Sequence, residues 1–409
     1  MTTQIIRNLS CAYQCLSDGG QGDLHPIKDA ALVFSDTIEW IGREEDLPSR
    51  YQNEARIDAR RAIAIPGLID CHTHLAFGGW RADEFELRML GKSYLEIAKA
   101  GGGIASSVKH TRSASEEELL EKCLSFVPDI AALGVTTIEC KSGYGLSLED
   151  ELKQLRVYKR LAEEVSLDVV STCLGAHIVP PDWKDNRSGY IDLLKKELIP
   201  QVAEFELAKF FDVFVEETAF VVEEAEAILN IAKEHGLSAK LHVDQLSSGQ
   251  GAELAARVGA ISADHLECVS DQGVRDLKQA NVVAVTLPLA SLYTRQTPLN
   301  ARRLIEKDVP VAVATDFNPG SAPSFHLPLA MMLACTMNQM TPAEALKGAT
   351  VYAAKALSIS NTHGSLESGK VADIALLDVS DVNKWLYHFN ANNCVATFKG
   401  GKAIYQNEA

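Results

Sequence analysis

From Gly67 onward the chain alternates apolar, β-rich runs with segments of helical period, and this rhythm limits the fold more than any other feature. The runs are residues 68–74, 136–141, 169–177, 211–216, 239–243, 261–265, 282–287 and 311–316. They are mostly continuous Val, Ile, Ala and Leu rather than alternating, as parallel strands covered on both faces require. Between them lie helical patterns. In residues 147–164, Ser147 and Asp150 resemble a capping box, while Leu152, Leu155, Tyr158 and Leu161 form an apolar stripe. Such βα units, eight of them over roughly 250 residues, match a (β/α)8 TIM-like barrel. An open doubly wound sheet is the alternative, but no GxGxxG turn follows any of the runs.

Both chain ends have a different character. Residues 4–8, 31–34, 38–41 and 62–65, then 373–377, 393–399 and 402–405, are short runs split by turn residues such as Asp18-Gly19-Gly20. The simplest arrangement pairs them as one small discontinuous β-sandwich domain, residues 1–65 with 360–409, beside a barrel domain at 66–359.

A net charge of −16 argues against nucleic acid, whose phosphates need clustered Lys and Arg. It also means that an anionic substrate needs a local cationic clamp. The nine cysteines include no CxxC pair, and Cys71, Cys140 and Cys173 lie inside apolar runs, which predicts buried thiols in a reducing compartment. No basic segment followed by an apolar core opens the sequence, so no signal peptide is expected. The longest uncharged apolar stretch, residues 280–293, is too short to span a bilayer and contains Pro288. The expectation is a cytoplasmic protein with no membrane or nucleic-acid partner.

Polar residues collect where barrel strands end, and the βα loops of such barrels build the site at that face. The set is His72 and His74 on the first run, Lys141 with Tyr144 on the second and His177 on the third. Glu216 and Glu217 follow on the fourth, His242 on the fifth, Asp264 and His265 on the sixth, and Asp316 on the eighth. Alternate strand residues share a face, so His72 and His74 project together. Five of the eleven histidines fall in this set, whereas a solvated surface would place them in helices and loops, as for His110 and His235. His72, His74, His242 and Asp316 offer three imidazoles and a carboxylate, a set suited to one divalent ion, Zn2+ or Fe2+, with Mn2+ also open. Water on such an ion becomes hydroxide near neutral pH, and Asp316 beside it can take a proton and pass it to a leaving nitrogen.

This pattern of HxH, two further histidines and a late Asp resembles the amidohydrolase superfamily, and Gly364-Ser365-Leu366-Glu367-Ser368-Gly369-Lys370-Val371-Ala372-Asp373 is similar to the segment by which such chains return to their β-sandwich. Within it, four motifs are similar to the imidazolonepropionase family. They are His74-Leu75-Ala76-Phe77-Gly78-Gly79-Trp80-Arg81, Glu139-Cys140-Lys141-Ser142-Gly143-Tyr144-Gly145, Leu174-Gly175-Ala176-His177 and Thr315-Asp316-Phe317-Asn318-Pro319-Gly320-Ser321. The resemblance implies hydrolysis of the ring amide of the small molecule 4-imidazolone-5-propanoate to N-formimidoyl-L-glutamate, and a homodimer. It implies that Arg81 pairs with the propionate carboxylate, and that Tyr144, His177, Gln245, Asn318, Gly320 and Ser321 bind substrate. His265 and Asp316 are left as catalytic groups, because many family members carry Glu where Gln245 stands and an amide cannot act as a base.

Plainer roles stay open beside these. Arg81 could pair with Asp83 or Glu84, His177 could be a satisfied core histidine, His265 could support Asp316, and the Asn318-Pro319-Gly320 run could simply form a turn. Binuclear relatives use a carboxylated Lys on the fourth strand, where this chain has Val215-Glu216-Glu217-Thr218. One metal is therefore expected, with Lys141 in an ion pair with Glu216, Glu217 or another strand-end carboxylate. Gly101-Gly102-Gly103 is expected as a lid or plain turn. Two rival functions remain: deamination of a nucleobase such as cytosine or guanine, and a non-catalytic metal-binding barrel.

Overall fold

The computed structural model describes residues 2–92, 96, 102–389 and 392–407. Five strands open the chain: β1 (Gln4–Tyr13), β2 (Pro26–Phe34), β3 (Ile38–Arg43), β4 (Ala55–Asp58) and β5 (Ile63–Pro66). Eight more follow as β6 (Leu68–Asp70), β7 (Val135–Lys141), β8 (Asp168–Ala176), β9 (Phe210–Val215), β10 (Ser238–Val243), β11 (Ser262–His265), β12 (Val283–Thr286) and β13 (Val311–Val313). The tail adds β14 (Ile374–Leu377), β15 (Cys394–Lys399) and β16 (Lys402–Gln406).

Strands β6 to β13 pair in sequence order, each parallel to the next, with helices between them. All eight apolar runs are therefore barrel strands. Two end earlier than their hydrophobicity suggests: β6 stops at Asp70 and β13 at Val313. Beyond those points the chain closes the barrel instead. Thr73 bridges to Phe317, the Asp316 amide donates to the His72 carbonyl (3.0 Å), and the His74 amide donates to that of Phe317 (2.8 Å). The Asp70 carboxylate accepts from the Thr315 amide (3.1 Å) and hydroxyl (2.6 Å) across the same seam. The closing seam thus carries His72, His74 and Asp316.

The ends pair with each other, in the order β16-β15-β14-β5-β1-β2-β3, with β4 parallel to β1. This is one continuous mixed sheet rather than two facing sheets. It curls on itself: Phe34 on β2 meets Phe398 on β15 at 5.6 Å between ring centroids, within a core that includes Leu32, Ile38, Ile374 and Leu376. Strand β4 has no apolar run to mark it, since Arg56 and Asp58 are exposed.

The helix Leu148–Glu164 matches its pattern. Ser147 caps it by accepting from the Asp150 amide, and the predicted stripe is buried. It serves the site through Tyr158, whose hydroxyl donates to the Lys141 carbonyl (2.8 Å) and accepts from the Ala76 amide (3.0 Å). Tyr158→Phe leaves both backbone groups unpaired in the core, and a loss of about 2–3 kcal/mol is expected in urea unfolding. All nine cysteines are free thiols, seven of them buried. Among the described residues no helix is long and apolar enough to cross a membrane. Gly101 lies outside the described residues, while the Gly103 amide donates to Glu84 (2.8 Å).

Candidate active site

Four imidazoles and a carboxylate crowd the closing end of the barrel. Ring centroids of His72 lie 5.3 Å from His74, 4.5 Å from His242 and 5.9 Å from His265. Asp316 Oδ1 stands 3.4 Å from His72 Nε2 and 3.5 Å from His74 Nε2. Donors on a tetrahedral ion with bonds of about 2.1 Å are spaced about 3.4 Å apart, so these three atoms fit one ion. Donor atoms of His72, His242 and His265 also lie within 4.8 Å of one another.

The tautomers fit as well. His72 Nδ1 donates to Asp264 (2.6 Å) and His242 Nδ1 to Asp212 (3.1 Å), which leaves both Nε2 atoms with lone pairs. Both Nε2 atoms are buried without a hydrogen-bond partner among the described residues. A divalent ion satisfies them, and carboxylate-backed imidazoles are the usual support for one. Burial keeps His242 and His74 neutral by lowering their pKa values. Burial and Lys141 also oppose a charge on His72, but the carboxylates of Asp264 and Asp316 outweigh them and push its pKa up to about 9, so an ion on Nε2 takes the place of a proton. For Asp316, burial favours the neutral acid, yet His72 and His74 hold it well below the usual carboxylate range. Its backbone (φ 55°) and that of His265 (φ 80°) are left-handed, a strained state common at functional sites.

Beneath the histidines lies a buried charge network, in which Lys141 meets a strand-end carboxylate, Asp264, as expected, while Glu139, Asp212 and Lys240 are members that the sequence reading missed. Lys141 Nζ binds Asp212 (2.8 Å), Glu139 (3.1 Å) and Asp264 (3.5 Å), and Lys240 Nζ binds Glu139 (2.7 Å). Burial disfavours the Lys141 cation, but Asp212, Glu139 and Asp264 more than compensate and raise its pKa. Glu216 and Glu217 were the expected named partners and are not used. Glu216 instead accepts from the Leu246 amide (2.7 Å) and the Ser247 hydroxyl (2.7 Å), fixing the loop after β10. The signal for the network was period two: Glu139 and Lys141, and Lys240 and His242, share inward faces of otherwise apolar strands.

Around this centre stand the other predicted residues. Tyr144 is buried, its ring 5.7 Å from that of His74 and 5.6 Å from that of His177. Its loop is held from the helix behind, where Glu151 accepts from the amides of Gly143, Gly145 and Leu146, and Gln154 accepts from that of Tyr144. His177 stacks on His74 at 5.8 Å and donates from Nδ1 to the Gly143 carbonyl (2.9 Å). Burial and neighbouring His74 lower its pKa to about 4. A neutral ring with its hydrogen on Nδ1 has none on Nε2, so His177 is set to accept from a ligand N–H rather than donate to a carbonyl.

Arg81 does pair with Glu84, through Nε (2.9 Å) and Nη2 (2.8 Å). That contact uses one edge of the guanidinium and leaves the Nη1/Nη2 edge for an anion. Nη1 lies against Gly320, where a Cβ would come within 2.0 Å of it, so only glycine allows the approach. Asn318 builds a turn: its side-chain oxygen accepts from the amides of Gly320 (2.8 Å) and Ser321 (2.7 Å), and its Nδ2 donates to the Asp316 carbonyl (2.6 Å). Gln245 follows Asp244 at the end of β10 and is half-buried.

The sequence pattern of the amidohydrolase family matches residues 63–404. The chain belongs to the amidohydrolase family. Within that family it is 48% identical to the imidazolonepropionase of Geobacillus thermodenitrificans (strain NG80-2), over 93% of this chain and 91% of that one. It is 41% identical to the imidazolonepropionase of Colwellia psychrerythraea (strain 34H), over 96% of both chains. Among solved structures, a zinc-bound adenosine deaminase from Xanthomonas campestris superposes with a TM-score of 0.74 at 17% identity, covering 98% of this chain and 93% of that one, which is a likeness of fold. This amidohydrolase is thus similar along nearly its whole length to enzymes of one named activity.

Proposed function

We propose that this chain hydrolyses the ring amide of 4-imidazolone-5-propanoate to N-formimidoyl-L-glutamate, using one Zn2+ or Fe2+ held by His72, His74, His242 and Asp316. The observation that carries the reading is the coincidence of 41–48% identity to imidazolonepropionases with buried donors on His72, His74 and Asp316 spaced for a single ion, His242 standing beside His72. The bound ion supplies a water acidic enough to be hydroxide near neutral pH. Arg81 holds the propionate carboxylate on its open edge, in the turn built by Asn318, Gly320 and Ser321. His177 accepts from a ring N–H, and Tyr144 and Gln245 complete the pocket. His265 and Asp316 move the proton from the attacking water to the departing ring nitrogen. The barrel proper is taken as residues 66–359, and the protein as a cytoplasmic homodimer of the 44.4 kDa chain, a mass that light scattering checks.

The test is loss of the imidazolone's ultraviolet absorbance with purified protein, with cytosine and guanine in parallel. Turnover of the imidazolone alone is expected, and turnover of either base without it would replace this reading by a deaminase. Arg81→Ala separates the two further. Removing one partner of a buried charge-assisted pair costs about 3 kcal/mol, so KM for the imidazolone should rise by about 100-fold with kcat less affected. An unchanged KM would leave Arg81 as a partner of Glu84 only.

A further inference from the structure

His265 Nδ1 and Glu267 Oε2 are both buried, and neither has a hydrogen-bond partner among the described residues. They face each other at 3.7 Å, on side chains only 4% and 3% exposed. The other Glu267 oxygen is tied down by the Ser291 hydroxyl at 3.0 Å. His265 and Leu266 both have left-handed backbones (φ 80° and 68°), and this tight turn carries the carboxylate back beside the ring. Two orphaned groups of complementary chemistry are thus sealed together beside His72 and His242. Hydrogen bonds between such groups are often long in unliganded sites and tighten when substrate is bound.

We infer that Glu267 is a positioning residue for His265. Its carboxylate accepts the Nδ1 hydrogen and so fixes the tautomer whose Nε2 carries a lone pair. That lone pair takes the proton of the attacking water, and the resulting imidazolium stays paired with Glu267 until the proton passes to the departing ring nitrogen. Gln245, an amide, cannot do this, so the His265–Glu267 pair supplies the basic function on this side of the site. The catalytic part of the inference rests on the substrate reading above, whereas the tautomer does not.

The experiment uses the metal-loaded protein labelled with 15N-histidine, with the His265 nitrogens assigned by difference from His265→Gln. In the wild type, Nδ1 should carry the hydrogen and Nε2 should not. In Glu267→Gln the Ser291 hydroxyl claims the amide oxygen, the amide NH2 faces Nδ1, and the hydrogen should move to Nε2. With that tautomer reversed, kcat should fall by about 10²–10³-fold while KM changes less than about threefold. Glu267→Ala should lose a similar factor. A wild-type His265 protonated on Nε2, or variants whose kcat stays within about twofold, would overturn the role. The tautomer is read without substrate, so a wild-type chain inert toward the imidazolone would sink the substrate assignment separately. Should Glu267→Gln not fold, the wild-type tautomer still decides.

Discussion

Asp316→Ala should strip the ion from the protein and lower kcat by at least about 10³-fold. Asp316 is the one anionic donor in the set, and its Oδ1 sits 3.4 and 3.5 Å from two imidazole nitrogens that have no hydrogen to offer it when His72 and His74 act as ligands. Without it, three neutral rings in a buried cavity must balance a double positive charge, and the water they leave is less well activated. Under the proposed mechanism the same residue also moves the proton, so restoring the ion at high concentration should recover only part of the rate. Metal content after desalting, measured beside kcat, reads both effects. An Asp316→Ala protein that kept a full ion and a rate within tenfold of wild type would remove Asp316 from the ligand set.

The second large effect belongs to Lys141→Met. The ammonium is fully buried among Asp212, Glu139 and Asp264, and among the described residues Lys240 would be the one ammonium left beside these three carboxylates. Breaking a buried ionic network from one side typically costs about 3–5 kcal/mol. A second consequence follows from connectivity. Asp264 and Asp212 are the acceptors for His72 and His242, so once protonated they no longer fix those tautomers. Metal affinity should therefore drop by about 10–100-fold even though Lys141 is not a ligand. Chemical denaturation reads the first loss and competition with a chelator reads the second. A variant that loses stability at unchanged metal affinity would confine Lys141 to a structural role.

Much of this architecture was legible in the order of residues. Continuous apolar runs such as Phe210–Val215 and Val283–Thr286 are buried on both faces, and that is why they read as parallel barrel strands. The histidines at their ends stood out because imidazoles are rare in such surroundings. The bounds of β6 and β13 were less legible, since Thr73 and Phe317 leave the regular ladder to pair across the closing seam. Closure is a long-range event with no local signature. The single curled end sheet was hidden for a similar reason: the contact of Phe34 with Phe398 joins opposite ends of the chain.

Within the site, single residues were easier to find than their partners. Lys141 was recognised as an ion-pair former, but sequence spacing could not select Asp212 over Glu216. Alternation puts both on one face, so the choice depends on depth: Asp212 lies inside β9 beside Lys141, whereas Glu216 lies past its end and turns to the loop after β10. Arg81 and Asn318 show the same limit. Each carries the contact expected of it as an ordinary residue, with Glu84 and within its own turn, and each of those contacts also shapes the proposed pocket. A plain structural role and a functional one are here two uses of one side chain.

Anomalous diffraction at the zinc and iron edges, from crystals of the metal-loaded protein, tests most directly whether residues so far apart in the chain meet on one ion. A single peak per chain is expected, within bonding distance of His72 Nε2, His74 Nε2, His242 Nε2 and Asp316. An absence of density there, or a peak held instead by a separate carboxylate–histidine cluster such as Asp168, His363 and Asp373, would contradict it.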